Sequence, residues 1–328
     1  MGLTMNVGIV GCGSIGKKRA LALGQHNLLF AVDINIERAE AVAKIKGKAK
    51  VSTDFNDVIR DPCIDIVIIS TTNDMLAPIS RMAIQAGKHV LVEKPAAKNI
   101  KEIEGVIKAA RENKGLVKVG FNLRYHPSLQ KAREIVDSGK LGELMFLRGR
   151  YGHGGRVGYD KEWRANPAIS GGGELIDQGV HLIDLSRWFL GEFKTVDGFS
   201  HTYFWNMPVD DNAFLSLRTK KQQVAWLHVS CTEWKNLFSL EIYGKNGKIQ
   251  IDGLGGSYGT EKLVYYQMLP QMGPPETTFW EYPADDNSWN LEFSEFAESI
   301  NTGKPLNGDI NDAYEALKIV DKIYSFAD

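Results

Sequence analysis

The spacing of apolar positions changes along this chain, and the changes divide it. Up to Phe121, short apolar runs alternate with segments of helical period. Asn6 to Val10, Leu28 to Val32, Ala49 to Ser52, Ile64 to Ile69, His89 to Val92 and Leu116 to Phe121 predict strands. Lys17 to Leu23, Ile36 to Lys46, Asp54 to Ile59, Ala77 to Ala86 and Asn99 to Asn113 predict the helices between them. Ile64 to Ile69 is apolar without alternation, as in a parallel strand covered on both faces. Pro127 to Ser138 predicts a helix closed by Gly139, and Leu144 to Tyr151 a strand. After Gly191 the strands Thr195 to Phe204, Asn212 to Thr219, Gln223 to Cys231, Phe238 to Tyr243, Lys248 to Asp252, Leu263 to Met268 and Thr278 to Tyr282 follow one another. Lys245-Asn246-Gly247 is a hairpin signal. Trp289 to Asn301 and Asp309 to Phe326 predict two closing helices.

The first strand runs into Gly11-Cys12-Gly13-Ser14-Ile15-Gly16 and then into a helix. Strand, G-x-G-x-x-G and helix together are the context that a dinucleotide fingerprint requires. Gly11 makes the turn, Gly13 admits a pyrophosphate to the backbone, and Gly16 lets helix and strand pack. Asp33 closes the next strand, where an acid accepts both hydroxyls of an adenosine ribose and repels a 2′-phosphate. NAD is therefore expected in preference to NADP. Asp33 also stands where it could cap the following helix. Thr71, Thr72 and Asn73 follow the carboxyl end of Ile64 to Ile69, on the edge where open α/β sheets bind ligands. Pro95 holds Lys94 extended at the same edge.

The second stretch of candidate chemistry is Ser170-Gly171-Gly172-Gly173-Glu174-Leu175-Ile176-Asp177-Gln178-Gly179-Val180-His181-Leu182-Ile183-Asp184. Three glycines allow close approach to a ligand. Asp177, His181 and Asp184 then fall on one face of a helix. An Asp one turn before a His suits a general base. A metal site is disfavoured, because no second His or Cys cluster lies nearby. Upstream, Tyr151 to Tyr159 is glycine-rich, aromatic and basic, and reads as a substrate loop. Arg148, Arg150, Arg156, Lys161 and Arg164 outnumber Asp160 and Glu162 there, which predicts an anionic substrate. Gly253-Leu254-Gly255-Gly256 resembles a phosphate loop but leads to another strand, so it reads as a turn.

Composition removes several classes. The 328 residues carry 39 basic and 40 acidic side chains, so neither nucleic acid nor an anionic membrane is an expected partner. Cys12, Cys63 and Cys231 make no disulfide framework or zinc spacing, which predicts a reducing compartment. The opening MGLTMNVGIVGCG has no basic leader, and no apolar run is long enough to span a membrane. A cytoplasmic protein is expected.

The motifs together resemble the glucose–fructose oxidoreductase / inositol dehydrogenase (Gfo/Idh/MocA) family. The resemblance rests on Gly11 to Gly16, on Ala86-Gly87-Lys88-His89-Val90-Leu91-Val92-Glu93-Lys94-Pro95, on Gly120-Phe121-Asn122-Leu123-Arg124-Tyr125, and on Asp177, Gly179, His181 and Asp184. It implies an α/β protein: a Rossmann domain over 1–123 and an α+β domain over 124–328 with a large, open, mostly antiparallel sheet. It implies Lys94, Asp177 and His181 as the catalytic group, with the choice of base between Lys94 and His181 left open. Gly11, Gly13, Ser14, Ile15, Gly16, Asp33, Thr71, Thr72, Asn73, Glu93, Lys94 and Asn122 would hold the cofactor. Arg124, Tyr151, Arg164, Asp177 and His181 would hold a sugar or cyclitol. Thr72 and Leu76 stand where the family commonly has Pro and His, which removes that His contact. A redox-neutral glycosidase that retains NAD, and a dinucleotide-binding sensor, are the alternatives. The open sheet face, with Trp226, Phe238 and Tyr243 as candidates, predicts a homo-oligomer, dimer or tetramer.

Overall fold

The computed structural model describes residues 3–47 and 49–326. Met1, Gly2, Lys48, Ala327 and Asp328 fall within the expected domain spans but outside the described residues. The chain forms two compact units, and each is described by itself.

The first unit is built on β1 (Asn6–Val10), α1 (Ser14–Leu21), β2 (Asn27–Val32), α2 (Ile36–Ala43), β3 (Lys50–Ser52), α3 (Asn56–Arg60), β4 (Ile66–Ile69), α4 (Asn73–Gln85), β5 (His89–Val92), α5 (Ile100–Glu112) and β6 (Val117–Val119). All six strands run parallel in the order β3-β2-β1-β4-β5-β6. The order reverses between β1 and β4, the switch point where such sheets open a crevice. Ile66, Val67, Ile68 and Ile69 are wholly buried, as their unbroken apolar run requires, and each contributes about 1.5–3 kcal/mol. α4 begins one turn earlier than the apolar period shows, because its first turn opens with polar Asn73 and Asp74.

The second unit contains α6 (Pro127–Asp137), β7 (Leu144–Gly152), a π-helical turn (Leu175–Gly179) and the helix that continues from it. The short helix α7 (Pro167–Ser170) precedes the turn, and α8 (Val180–Leu190) follows it. Then come β8 (Phe193–His201), β9 (Asn212–Thr219), β10 (Val224–Ser230), β11 (Leu237–Gly244), β12 (Gly247–Asp252), β13 (Glu261–Gln267) and β14 (Glu276–Tyr282). The eight strands lie in the order β14-β13-β12-β11-β7-β10-β9-β8, antiparallel except for β7 with β10. Gly244 and Gly247 pair across the expected hairpin turn. Strand alternation sorts the residues by face. Leu147, Gly149 and Tyr151 share the inner face with Leu227, Leu240 and Ile242; Phe146, Arg148 and Arg150 face out with Trp226, Glu241 and Tyr243. Phe238, expected on the open face, is paired with Tyr151 and buried, because its register puts it on the inner face.

The chain closes with α9 (Ser288–Thr302) and α10 (Ile310–Tyr324). Phe293 and Phe296 of α9 join the core made by Val7, Ile9, Ile66, Ile68 and Leu91. The grouping by packing therefore differs from the expected division at 123/124: Ala168–Gly171 and Trp289–Leu317 belong with the first unit, and Asn122 begins the second. Sequence order hides this, because the returning helix reads like any other amphipathic segment.

Candidate active site

The glycine loop of the first unit is set by contact on two sides and left open on the third. A Cβ on Gly11 would lie 2.4 Å from the Ser70 carbonyl oxygen, and one on Gly16 would lie 2.1 Å from the Gly11 carbonyl oxygen. A Cβ on Gly13 would meet nothing within 4 Å, so this position faces open space. Ser14 opens α1 there, with Ile15 half-buried behind it. Asp33 is half-buried at the end of β2. Its Oδ2 accepts from the Cys12 amide at 2.7 Å and its Oδ1 from the Asn35 amide at 2.8 Å, which locks acid and loop together. Asn35, not Asp33, caps α2 by accepting from the Arg38 amide at 3.2 Å. Burial and the Asp33 carboxylate push the Cys12 thiol up to about 12, so it is no nucleophile. An open glycine, a helix N-terminus and a fixed carboxylate fit a dinucleotide.

At the neighbouring edge, Thr72 Oγ1 donates to Asp74 Oδ1 at 2.6 Å, Thr71 Oγ1 to the Thr72 carbonyl at 3.2 Å, and Asn73 Nδ2 to the Ser170 carbonyl at 2.8 Å. Leu76 is fully buried in α4. Lys94 follows β5, half-buried, with a cis bond to Pro95. Two residues expected at the cofactor are occupied by protein instead. Glu93 Oε1 accepts from Arg19 Nε at 2.7 Å, and Arg19, wholly buried, also reaches Glu292 at 2.5 Å. A Cβ on Gly120 would stand 2.6 Å from the Arg19 guanidinium, so this pair is why the position is glycine. Asn122 is buried and donates through Nδ2 to Ser288 Oγ at 3.0 Å.

In the second unit the glycines before the π turn serve protein, not ligand. A Cβ on Gly172 would lie 2.2 Å from Tyr324 Oη, and one on Gly173 would lie 1.9 Å from the Asp210 carbonyl oxygen. Asp210 reaches into the space this leaves. It accepts from the Gly173 amide at 3.0 Å, the Leu175 amide at 2.8 Å and Tyr324 Oη at 2.8 Å, and so caps the helical segment. Burial pushes its carboxyl above the usual range, against the pull of these donors.

Asp177 lies within the π turn, and its Oδ2 accepts from Arg164 Nε at 3.0 Å. His181 follows in α8 and is 5 % exposed. The Tyr151 ring meets it edge-on, centroids 6.0 Å apart. Asp184, expected on the same face, is instead taken by Arg124 in a bidentate pair of 2.8 and 2.6 Å. Arg124 thus departs from its expected substrate role, because both limbs of its fork hold one carboxylate. Glu174 was not singled out in the sequence, although it follows the glycines directly. It is buried, 3.5 Å from His153 Nε2 and 3.5 Å from the Tyr159 hydroxyl.

The basic cluster also divides. Arg148 pairs with Glu241 at 2.7 Å, Arg156 with Glu162 at 2.6 Å and Arg164 with Asp177. Arg148 and Arg150 point to the sheet face opposite Tyr151. Glu162 is a local acid, whereas Glu241 and Asp177 come from other segments, so three of the five cations behind the expectation of an anionic substrate are already paired. Among the described residues, no group of three or more His, Cys, Asp and Glu is placed to hold a metal, and no helix is long and apolar enough to cross a membrane.

Comparison with known proteins agrees with both units. The model of the "Oxidoreductase family, NAD-binding Rossmann fold" matches residues 5–121, and that of the "GFO/IDH/MocA C-terminal domain" matches 129–250. Levoglucosan dehydrogenase of Pseudarthrobacter phenanthrenivorans is 29 % identical over 66 % of this chain, a match that spans 58 % of that relative's length. Inositol 2-dehydrogenase of Salmonella typhimurium is 26 % identical over 97 % of this chain and 93 % of its own. A levoglucosan dehydrogenase solved with NADH and levoglucosan shares the fold at a TM-score of 0.88 and 24 % identity, covering 99 % of this chain and 97 % of that one. The chain belongs to the Gfo/Idh/MocA family of oxidoreductases, and its first unit is the family's NAD-binding Rossmann domain.

Proposed function

We propose that the chain is an NAD-dependent dehydrogenase that reversibly oxidises a secondary alcohol of a neutral cyclitol, sugar or sugar derivative. One observation supports this most: His181 is buried one turn after an Asp177 whose carboxylate is fixed by Arg164 at 3.0 Å. A histidine of this kind, preceded by a held carboxylate, suits proton transfer. The names of the relatives, for levoglucosan and inositol, support the substrate class. The pairing of Arg148, Arg156 and Arg164 supports a neutral substrate.

In this reading His181 takes the hydroxyl proton. Lys94 donates to the same oxygen and stabilises charge on it. Asp177 holds the imidazole or a substrate hydroxyl, and Arg164 holds Asp177. Gly11, Gly13, Ser14, Ile15 and Gly16 receive the pyrophosphate, and Asp33 accepts from the ribose hydroxyls. Thr71, Thr72 and the backbone at Asn73 line the same edge. NAD, when bound, supplies the hydride acceptor. The open sheet face exposes Trp226 (59 %) and Phe279 (69 %), and a homo-oligomer through that face is part of the proposal.

The test is NADH formation, followed at about 340 nm, with levoglucosan, myo-inositol, scyllo-inositol, glucose and glucose 6-phosphate. Turnover of a neutral ring polyol is expected, with no gain from the phosphate. Absence of NADH with every compound ends the dehydrogenase reading.

A further inference from the structure

The loop between β12 and β13 carries a side chain that the proposed reaction has not used. Gly253, Gly255, Gly256 and Gly259 have φ of +76°, +52°, +74° and +92°, a region that L side chains rarely adopt. The loop closes on itself: the Ser257 amide donates to the Gly255 carbonyl at 2.9 Å, Tyr258 to Leu254 at 3.2 Å and Gly259 to Gly256 at 3.1 Å. It is also tied to its surroundings. The Gly253 amide donates to the Phe238 carbonyl at 3.0 Å, Asn236 Nδ2 to the Ser257 carbonyl at 2.9 Å, and the Gly255 amide to Glu261 Oε2 at 3.3 Å. Glu261 is itself held by His126 Nδ1 at 3.0 Å and by the Ser128 amide at 2.8 Å. A loop fixed at so many points presents its side chains with little ordering left to do.

The aromatic side chain it presents is Tyr258. Its ring lies 5.2 Å from that of Tyr151 at 49°, and Tyr151 in turn meets His181 edge-on. The Tyr151 hydroxyl stays protonated, because burial pushes its phenol well above the usual value. Tyr151 is 6 % exposed, whereas Tyr258 is half-buried and keeps an open side. Burial and the charges of Glu174 and Asp177 hold the Tyr258 phenol protonated, so it is a donor at neutral pH. A half-open aromatic ring with a hydroxyl at its tip matches a sugar or cyclitol, which has a C–H face and a hydroxyl edge.

We infer that Tyr258 is a substrate-binding residue: its ring covers the C–H face of a cyclic polyol, and its hydroxyl donates to a substrate oxygen other than the one oxidised. This rests on the dehydrogenase reading. Tyr151 supports the Tyr258 ring by packing against it.

The test uses the full chain with saturating NAD, levoglucosan and scyllo-inositol as probes, and the variants Tyr258→Phe and Tyr258→Ala. Tyr258→Phe keeps the ring and is expected to raise KM roughly tenfold for the probe that turns over. Tyr258→Ala is expected to raise it roughly 30- to 100-fold, with kcat within about threefold of wild type. NAD affinity and Tm are expected to stay unchanged in Tyr258→Phe, which a merely structural role does not combine with a raised KM. Wild-type KM in Tyr258→Phe overturns the assignment, even where Tyr258→Ala fails to fold, and leaves the dehydrogenase reading standing. No NADH from the wild type with these two probes or with myo-inositol, glucose or glucose 6-phosphate removes that reading and the Tyr258 assignment with it.

Discussion

Each unit sets an arginine among carboxylates, and the two settings have opposite consequences. In the first unit Arg19 is wholly buried between Glu93 and Glu292, with the Trp289 ring 4.5 Å from its guanidinium carbon. Nothing can enter this group, so it acts as an internal strut. In the second unit Arg164 is one-third exposed, donates to Asp177 at 3.0 Å and lies 3.9 Å from Glu162. The difference lies in the open side. A closed cluster of charges fixes a fold, and a half-open one has bonding capacity left for a ligand.

The sharpest way to break this contrast is at the half-open group. His181→Ala is expected to lower kcat by roughly 10²–10⁴-fold with NAD affinity kept. Lys94→Ala should behave alike, and the double variant should lose far less than the product of the two. Steady-state kinetics with NAD titrations reads this; near-normal turnover in Lys94→Ala refutes its role. Arg19→Ala is the converse. It should cost about 3–5 kcal/mol of stability, because two buried carboxylates lose their cation, and chemical denaturation measures it. Asp33→Ala should weaken NAD binding by about 1.5–3 kcal/mol through loss of a charged acceptor while narrowing the gap to NADP. Tighter NADP than NAD binding by the wild type refutes Asp33.

A pH series separates two buried carboxyls with opposite shifts. Burial and Glu93 raise the Glu292 carboxyl despite Arg19 and Lys118. Its stabilisation is then complete below the ordinary 4.5 and is lost as pH rises through the folded value. Burial opposes ionisation of Glu261 too, but donors from His126 and Ser128 outweigh it and hold the carboxyl below 4.5. Its stabilisation is present above 4.5 and is lost as pH falls through the folded value. Relative to wild type, Glu292→Gln should therefore gain in Tm as pH rises, and Glu261→Gln should gain as pH falls. Parallel profiles would refute the pair. The smallest effect is expected at Arg156, whose exposed bond to Glu162 is worth less than about 1 kcal/mol. Arg156→Ala should leave kcat and KM unchanged, and a strong loss for phosphorylated substrates would restore the anionic reading.

The fold was legible wherever one local signal decided it. The unbroken apolar run at Ile66–Ile69, the glycine loop with strand and helix on either side, and the Asn246 hairpin were all readable. The site was legible only in part. Asp177 and His181 stand out by spacing, but the acids that neutralise Arg148 and Arg164 arrive from other segments. Glu93 and Asn122 look like ligands of the cofactor edge until Arg19 and Ser288 are seen to hold them. The triple glycine reads as a ligand approach, whereas a Cβ on Gly171, Gly172 or Gly173 would meet Lys98, Tyr324 or Asp210 in turn. Tyr258 gave no signal, since a tyrosine in a glycine loop has no period to break. Distance in sequence, more than chemistry, separates what was read from what was missed.

The π turn at Leu175–Gly179 has an outcome for anyone who aligns or edits this segment. It places one residue more in the turn than an α-helix takes, so residues on its two sides follow different angular counts. Removing Gln178 alone would let the segment relax into a continuous α-helix with α8 intact. Residues before the turn would then keep their angular position relative to α8, because the extra residue is the one removed, while Asp177 would stand three residues before His181 instead of four. A single-codon deletion would thus shift the carboxylate against the imidazole without turning the rest of the segment.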